Sequence, residues 1–460
     1  MFLGAQFEGF AKASPISVMM RGIIENAFDP DRIDTVFEQA AQAQYTRELR
    51  FSMIAELMTS VVFAMSTSIG AAYKTKQEEI TVSRKSVYNK LNGVEPEVSA
   101  ALVHDSVTRF DAVIREMDAT LPSLLPGYRV KILDGNHFAA TEHRLVEQRS
   151  MAAAPLPGQA LVVLEPEVQL ATHVIPCEDG HSQERALLDE VLPLVEKGDM
   201  WIADRNFCTT KFLCGIVRQG GGFLLRQHGG MTVTPVEDQK YVGRTESGHV
   251  YEQLVELTDP ESNEPVRLRR ISIELDKPIR KGETALHLLS NIPEEDGTAL
   301  ELAELYRKRW KIETLFQELT QALRCEIKTL AYPRAAIFAF CLALIAYNGI
   351  SVIQASLRAE HGREAVGDGV STFYVAQEIS QVHAGMMIAI PTAEWGVFRD
   401  LSIAQLADTL RYLAKHVRLQ KYEKSKRGPK KPQPERVQSE SPHVATRRIL
   451  AARKSKSTRK

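Results

Sequence analysis

Near Pro126 the apolar residues of this chain stop recurring at helical spacing and begin to alternate. The switch demands two kinds of layer, because a stripe of period 3.6 and a face of period 2 bury their apolar atoms differently. Upstream, Leu49, Phe51, Ile54, Leu57, Val61 and Phe63 follow the helical rule, and residues 1–125 are expected to be helical. Downstream, Tyr128-Arg-Val-Lys-Ile-Leu133 alternates as a strand and runs straight into Asp134-Gly135. Ala160–Leu164 and Gln169–Ile175 read as further strands, and Glu184–Glu196 as a helix. Met200-Trp-Ile-Ala203 is a short buried strand ending at Asp204; Cys208–Gln219 suits a helix and Gly222–Arg226 another strand. The order is α/β, with each aspartate where a strand stops, the end at which open α/β sheets gather ligands.

Residues 227–297 change character again. Met231–Val236, His249–Leu257, Val266–Glu274 and Thr284–Ser290 are β-rich runs parted by turn clusters such as Asp259-Pro-Glu-Ser-Asn263. They predict an antiparallel, all-β insertion in the α/β domain. A long helix is expected from Thr298 past Leu323, with two more near 334–358 and 371–388. The most apolar run, Ala335–Tyr347, is about a dozen residues; a bilayer span needs roughly 20, so it reads as a buried core helix and no membrane partner is expected.

The net charge of −1 hides an asymmetry. From Arg411 to Lys460 there are 17 Lys and Arg against Glu423, Glu435 and Glu440, a local +14 that leaves −15 on the rest. A basic tail without apolar anchors points to a polyanion, nucleic acid before membrane, or serves only as a solvated tail. Its Lys, Arg, Pro and Ser content, as in Lys426-Arg-Gly-Pro-Lys-Lys-Pro432, predicts disorder after about residue 420. Thr81–Leu91 reads as a short helix capped by Ser83, with Arg84, Lys85 and Lys90 facing outward. Such a helix suits a DNA groove, or equally the charged face of a bundle. Five cysteines without zinc or redox spacing, and an N-terminus without a signal-peptide pattern, set the expectation of a cytoplasmic protein with reduced thiols.

Within the helix expected from Thr298, Leu302, Leu305, Ile312, Phe316, Leu319 and Leu323 form an apolar stripe that Arg309 interrupts. Tyr306, Arg309 and Glu313 stand at i, i+3 and i+7, nearly one line on the helix. Placing them beside a core face is costly unless they are paired or functional. With Asp134 and Asp204, Glu313 completes three carboxylates of the kind that hold hard divalent cations. Two such ions about 4 Å apart serve in-line displacement at a phosphodiester, and Arg309 could hold a phosphate through its planar fork. Taken alone, Asp134-Gly135-Asn136 also reads as a hairpin turn, and Asp204-Arg205-Asn206 as a helix cap.

Tyr306-Arg-Lys-Arg-Trp-Lys-Ile-Glu313 resembles the signature segment of insertion-sequence-four type DDE transposases, in which Tyr, Arg, Glu and Lys are set apart by two, three and six residues. Ile132-Leu-Asp-Gly-Asn-His137 and Ile202-Ala-Asp-Arg-Asn-Phe207 resemble the family's two aspartate segments, and the separations of 70 and 109 residues fit it. The resemblance, clearest over about residues 125–358, implies a ribonuclease H-like catalytic domain with a β-insertion and cut-and-paste transposition in a bacterial cytoplasm, close to the nucleoid. Asp134, Asp204 and Glu313 would be the catalytic metal ligands for two Mg²⁺ ions, with Mn²⁺ able to substitute. Tyr306 and Arg309 would touch backbone phosphate, Trp310 would stack on a flipped base, and Arg205, Arg84, Lys85 and Lys90 join them as candidate DNA contacts. The partners implied are double-stranded DNA, as terminal inverted repeats and target, and a second copy in a synaptic homodimer. The divisions expected are a helical DNA-binding domain (1–125), the catalytic domain (126–226 and 298–358), the β-insertion (227–297), a C-terminal helical region that could serve dimerisation (359–420) and the basic tail (421–460).

Two departures stand out. The lysine of the signature is replaced by Thr320, leaving Lys311, Arg324 or Lys328 to supply a cation. The β-rich block has no tryptophan, so an aromatic wedge there would fall to Tyr241, Tyr251 or His249. The rival readings are a non-catalytic DNA-binding descendant, whose mark would be loss of one of the acids, and a stand-alone metal-dependent nuclease.

Overall fold

The computed structural model describes residues 4–44, 46, 48–139, 141, 145–150, 155–278, 282–327, 330–367, 370–424 and 444–457. The N-terminal part is helical, as the spacing predicts: α1 (Ala5–Ala13), α2 (Pro15–Ala27), α3 (Pro30–Ala40), α4 (Phe51–Val62), α5 (Ile69–Thr75), α6 (Arg84–Gly93) and α7 (Pro96–Glu116). Pro15, Pro30 and Pro96 each open a helix, where a missing N–H costs nothing. The apolar residues picked out between Leu49 and Phe63 are all buried. Ser83 caps α6 by accepting the Ser86 N–H at 3.2 Å.

From Arg129 the chain builds a mixed sheet from β1 (Arg129–His137), β3 (Gln159–Glu165), β4 (Leu170–Cys177), β5 (Asp199–Ala203) and β6 (Gly222–Arg226), with the short β2 (Pro155–Leu156) outside it and helices α8 (Leu188–Val191) and α9 (Thr210–Arg218). The order runs β4-β3-β1-β5-β6. β1, β5 and β6 are parallel, and β3 and β4 antiparallel. Successive residues reach opposite cores. Ile132, Met200, Ile202 and Leu224 join the large helical core, whereas Leu133, Trp201, Ala203, Phe223 and Leu225 pack with Phe212 and Ile216 of α9.

Two expectations change here. β1 runs on to His137 against β3, so Asp134 lies inside a strand; what stops at Leu133 is its parallel ladder with β5. The helix expected over Glu184–Glu196 is a 3₁₀ turn, the single turn α8 and another 3₁₀ turn containing Pro193, which has no N–H to continue a helical ladder.

The β-rich block forms β7 (Thr234–Pro235), β8 (Lys240–Thr245), β9 (Gly248–Thr258), β10 (Pro265–Leu275) and β11 (Ala285–Ser290). Its strands are antiparallel, as expected, but they make no sheet of their own. β11 pairs with β6, so the central sheet continues β6-β11-β10-β9-β7, with β8 alongside β9. β6 is buried on both faces, and β11 covers an edge that would otherwise expose unpaired backbone groups.

After the sheet come α10 (Ala299–Arg307), α11 (Trp310–Ala322), α12 (Pro333–His361), α13 (Arg363–Val366), α14 (Thr372–Ala389) and α15 (Ile403–Ala414). The single helix expected from Thr298 past Leu323 is therefore two. At the break, the Lys308 and Arg309 N–H groups donate to carbonyls three residues back, Leu305 at 2.9 Å and Tyr306 at 3.1 Å, which tightens the turn. α12 is long and apolar enough to cross a membrane, yet 89% of its most apolar window is buried, against α2, α4, α7, α15 and β4. Residues of α14 and α15 share that core with α2, α4 and α7, so the first and last helical segments pack as one layer.

Asn348, fully buried on α12, closes the free edge of β4. Its Oδ1 accepts the Ala171 N–H at 2.8 Å and its Nδ2 donates to the Ala171 carbonyl at 3.0 Å. Asn348→Leu strands both backbone groups and is expected to cost about 2–4 kcal/mol. The check is a fall in the urea midpoint at unchanged m-value; an unchanged midpoint would refute it.

The tail departs from the expected disorder in part. Lys426–Pro432, with all of 425–443, lies outside the described residues. Beyond it, β12 (Val444–Ala445) pairs in parallel with β2, and α16 (Thr446–Ser457) follows. Thr446 is buried and accepts from Gln148 Nε2 at 3.2 Å. Arg448 meets Asp179 at 2.9 Å, Arg453 meets Glu147 at 3.3 Å and Arg447 meets Glu178 at 3.8 Å. The acidic body supplies the partners that order this stretch.

Candidate active site

The parallel register Ile132↔Ile202 and Leu133↔Ala203 places Asp134 and Asp204 at matching positions, one residue past the ladder. Because side chains alternate, both follow the direction of Ile132 and Ile202, toward the helical core that includes α10 and α11. Asp134 accepts its neighbour Gly135 N–H at 2.9 Å. Asp204 caps the following 3₁₀ turn, accepting the Asn206 N–H at 2.6 Å. The cap reading of that segment is thus correct as local structure, and it fixes the carboxylate beside Asp134.

Glu313 reaches the site through a cation. At the break between α10 and α11, Arg309 turns inward with 11% of its side chain exposed. Its Nη1 donates to Asp134 Oδ2 at 3.0 Å and its Nη2 to Glu313 Oε1 at 2.7 Å. Arg309 Nε is buried without a hydrogen-bond partner among the described residues. The interrupted stripe thus has a physical cause: one guanidinium joins two of the three acids.

Burial pushes Asp134 up to about 7; Arg309 and the Gly135 N–H pull it down, while Asp204 and Glu184 push it further up. Tyr306 is half-buried next to Arg309, and its desolvation there raises its hydroxyl far above the ordinary tyrosine range. Trp310, the next residue along, is 62% exposed, and the Arg309 guanidinium lies 5.6 Å from its ring.

The other candidates divide. Arg205 lies beside the site but is paired with Glu283 at 2.8 Å, which also holds Arg226. Arg84 and Lys85 are exposed on α6. Lys90 does not face outward as expected: its ammonium stands 4.4 Å over the Phe37 ring and burial lowers it. An aliphatic stem lying against the core outweighs the outward position that helical phase allows. Arg324 donates to the Val62 and Ser66 carbonyls through its N–H and Nη1, and Lys328 lies outside the described residues. Tyr241 packs against Tyr251 at 5.4 Å and His249 at 5.9 Å on the β8–β9 hairpin. Among the described residues no group of three His, Cys, Asp or Glu side chains stands close enough to hold a metal ion.

Sequence reasoning missed Glu184. It comes from the 3₁₀ turn after β4, and nothing in its spacing sets it apart. Its carboxylate accepts from the Asn206 side chain and lies 3.6 Å from His137 Nδ1.

Asp134 and Asp204 thus stand side by side just past the parallel ladder of a mixed α/β sheet, the end at which such sheets gather ligands. Residues 126–348 match the family model of the transposase DDE domain, a span that includes Asp134, Asp204 and Glu313 and strands β7–β11. Over that span, just under half of the chain, the sequence is similar to a transposase DDE domain. No curated protein matches the chain.

Proposed function

We propose that this protein is a DNA transposase of the insertion-sequence-four type, which nicks DNA at the ends of its element and joins the freed 3′-hydroxyl to target DNA. The observation that supports this best is the approach of Asp134 and Glu313 through Arg309, with Asp204 beside Asp134, inside a segment that matches the DDE domain. What supports a divalent ion here is that hard oxygen donors from Asp134 and Glu313 converge on one guanidinium, a cation that Mg²⁺ or Mn²⁺ could replace as the acids draw closer. Asp134, Asp204 and Glu313 would hold two such ions. When bound, they lower the pKa of water and offset charge on the scissile phosphate.

The remaining roles belong to the chain. Arg309, exchanged off the carboxylates, offers its fork to a phosphate beside the cut. Tyr306, protonated at neutral pH, offers its O–H to a phosphate oxygen. Trp310 presents an exposed ring on which an unpaired base can stack. DNA outside the site meets Arg84 and Lys85 on α6 and the basic C-terminal segment. Two copies would bring two ends together in the bacterial cytoplasm.

The test uses full-length protein with Mg²⁺ and duplexes carrying the inverted repeats that flank its gene. Nicks at the repeat boundary, followed by joined products with target DNA, are expected. Equal cutting of unrelated duplex without joining would make it a stand-alone nuclease; binding without any cutting would make it a non-catalytic descendant.

A further inference from the structure

The loop that carries Asp204 is held from outside by two side chains of one turn. Arg185 Nη2 donates to Asn206 Oδ1 at 3.2 Å, while Glu184 accepts from Asn206 Nδ2. The two bonds fix both ends of the Asn206 amide, and the backbone N–H of the same residue donates to Asp204 Oδ1 at 2.6 Å. On its other side Glu184 lies against Gly135, where a methyl group would collide with its carboxylate. Gly135 in turn donates its N–H to Asp134. Glu184 thus touches the neighbours of both aspartates, with 15% of its side chain exposed. Its remaining partner among the described residues is His137, whose Nδ1 lies 3.6 Å away, so the carboxylate is tied to β1 and to the Asp204 loop at once.

We infer that Glu184 is a fourth acid of the site, a positioning residue that aims Asp204 through Asn206. The inference rests on the reading of Asp204 as a metal ligand. It assigns Glu184 no direct bond to an ion. Partners that orient a ligand are commonly worth about 10- to 100-fold in metal affinity.

Three variants of the full-length protein separate this role from its rivals, with Mn²⁺ affinity read by electron paramagnetic resonance and end cleavage by single-turnover rate. Glu184→Ala is expected to weaken Mn²⁺ binding and cleavage by about 10- to 100-fold, with end-DNA affinity unchanged. Glu184→Gln, which keeps an oxygen for the Asn206 amide, should restore most of both. Asn206→Ala should match Glu184→Ala, and the double variant should be no worse than either, because both break one linkage. Gly135→Ala, which displaces the Glu184 carboxylate without altering it, should act in the same direction.

Wild-type Mn²⁺ affinity in Glu184→Ala overturns the inference. So does a Gln variant as poor as the Ala one, which would mean that the charge itself acts on the ion. If Glu184→Ala does not fold, a wild-type Asn206→Ala overturns it instead. Asp204→Ala keeps the two readings apart: retained cleavage there sinks the active-site assignment itself, whereas lost cleavage with a normal Glu184→Ala sinks only the positioning role.

Discussion

Alanine at Asp134, Asp204 or Glu313 is expected to slow end cleavage by at least about a thousand-fold, roughly 4 kcal/mol of barrier, while end-DNA affinity changes little. The asymmetry follows from where the two energies arise. Cleavage needs hard oxygen donors at one point, and each substitution removes one. Duplex affinity is spread over many phosphate contacts, most of them distant from that point. Asp204 needs a second variant, because its carboxylate also accepts the Asn206 N–H. Loss of such a cap costs about 1 kcal/mol. Asp204→Asn keeps the cap and removes the charge, so it should fold normally and still fail to cleave. Glu313→Gln likewise keeps an acceptor for Arg309. Gel-resolved nicking and a binding isotherm on the same end duplex decide the matter. Cleavage within ten-fold of wild type in any one of the alanine variants would remove that residue from the chemistry.

What was legible in the sequence was whatever local period controls. Alternation up to Leu133 located β1 and a short apolar run ending at Ala203 located β5; helical spacing located α4, and an unbroken apolar run located α12. Arg309 was marked by the stripe it breaks, since a cation at an apolar position demands a partner. The partner itself was not legible, because it depends on a bend at Lys308 that no breaking residue announces. The β-rich block shows the same limit. Its antiparallel strands could be read one at a time, but the joining of β11 to β6 is a long-range pairing, which alternation within a strand does not encode. Lys90 faced outward by helical phase and folded its stem onto Phe37 instead. Glu184 stayed hidden because its place depends on three segments meeting around Gly135. The C-terminal arginines looked like free charge until the folded body presented Glu147, Glu178 and Asp179.

Arg309→Met should destabilise the metal-free protein by on the order of 3 kcal/mol, the low end for breaking a buried pair, because Glu313 keeps 28% of its side-chain surface. Methionine fills much of the same volume, so the loss reports charge rather than a cavity. Two carboxylates that shared one cation are then left facing each other. A divalent ion can replace that cation, and Mn²⁺ is expected to stabilise the variant more than the wild type, where Arg309 must first be displaced. An ion at 100 times its dissociation constant adds about 2.7 kcal/mol. The pH dependence has a definite sign. Burial lifts Asp134 from 3.8 to about 7, so between those values the folded protein keeps a proton that the unfolded chain has lost. Stability therefore falls as pH rises through that window. Without Arg309 the main opposing influence is gone, and the decline should extend above pH 7; bound Mn²⁺, which favours the ionised carboxylate, should flatten it. Thermal melts across pH 4–8, with and without Mn²⁺, test each step. If Arg309→Met melts like wild type, or Mn²⁺ raises both melting temperatures equally, the guanidinium does not occupy the place of a metal ion.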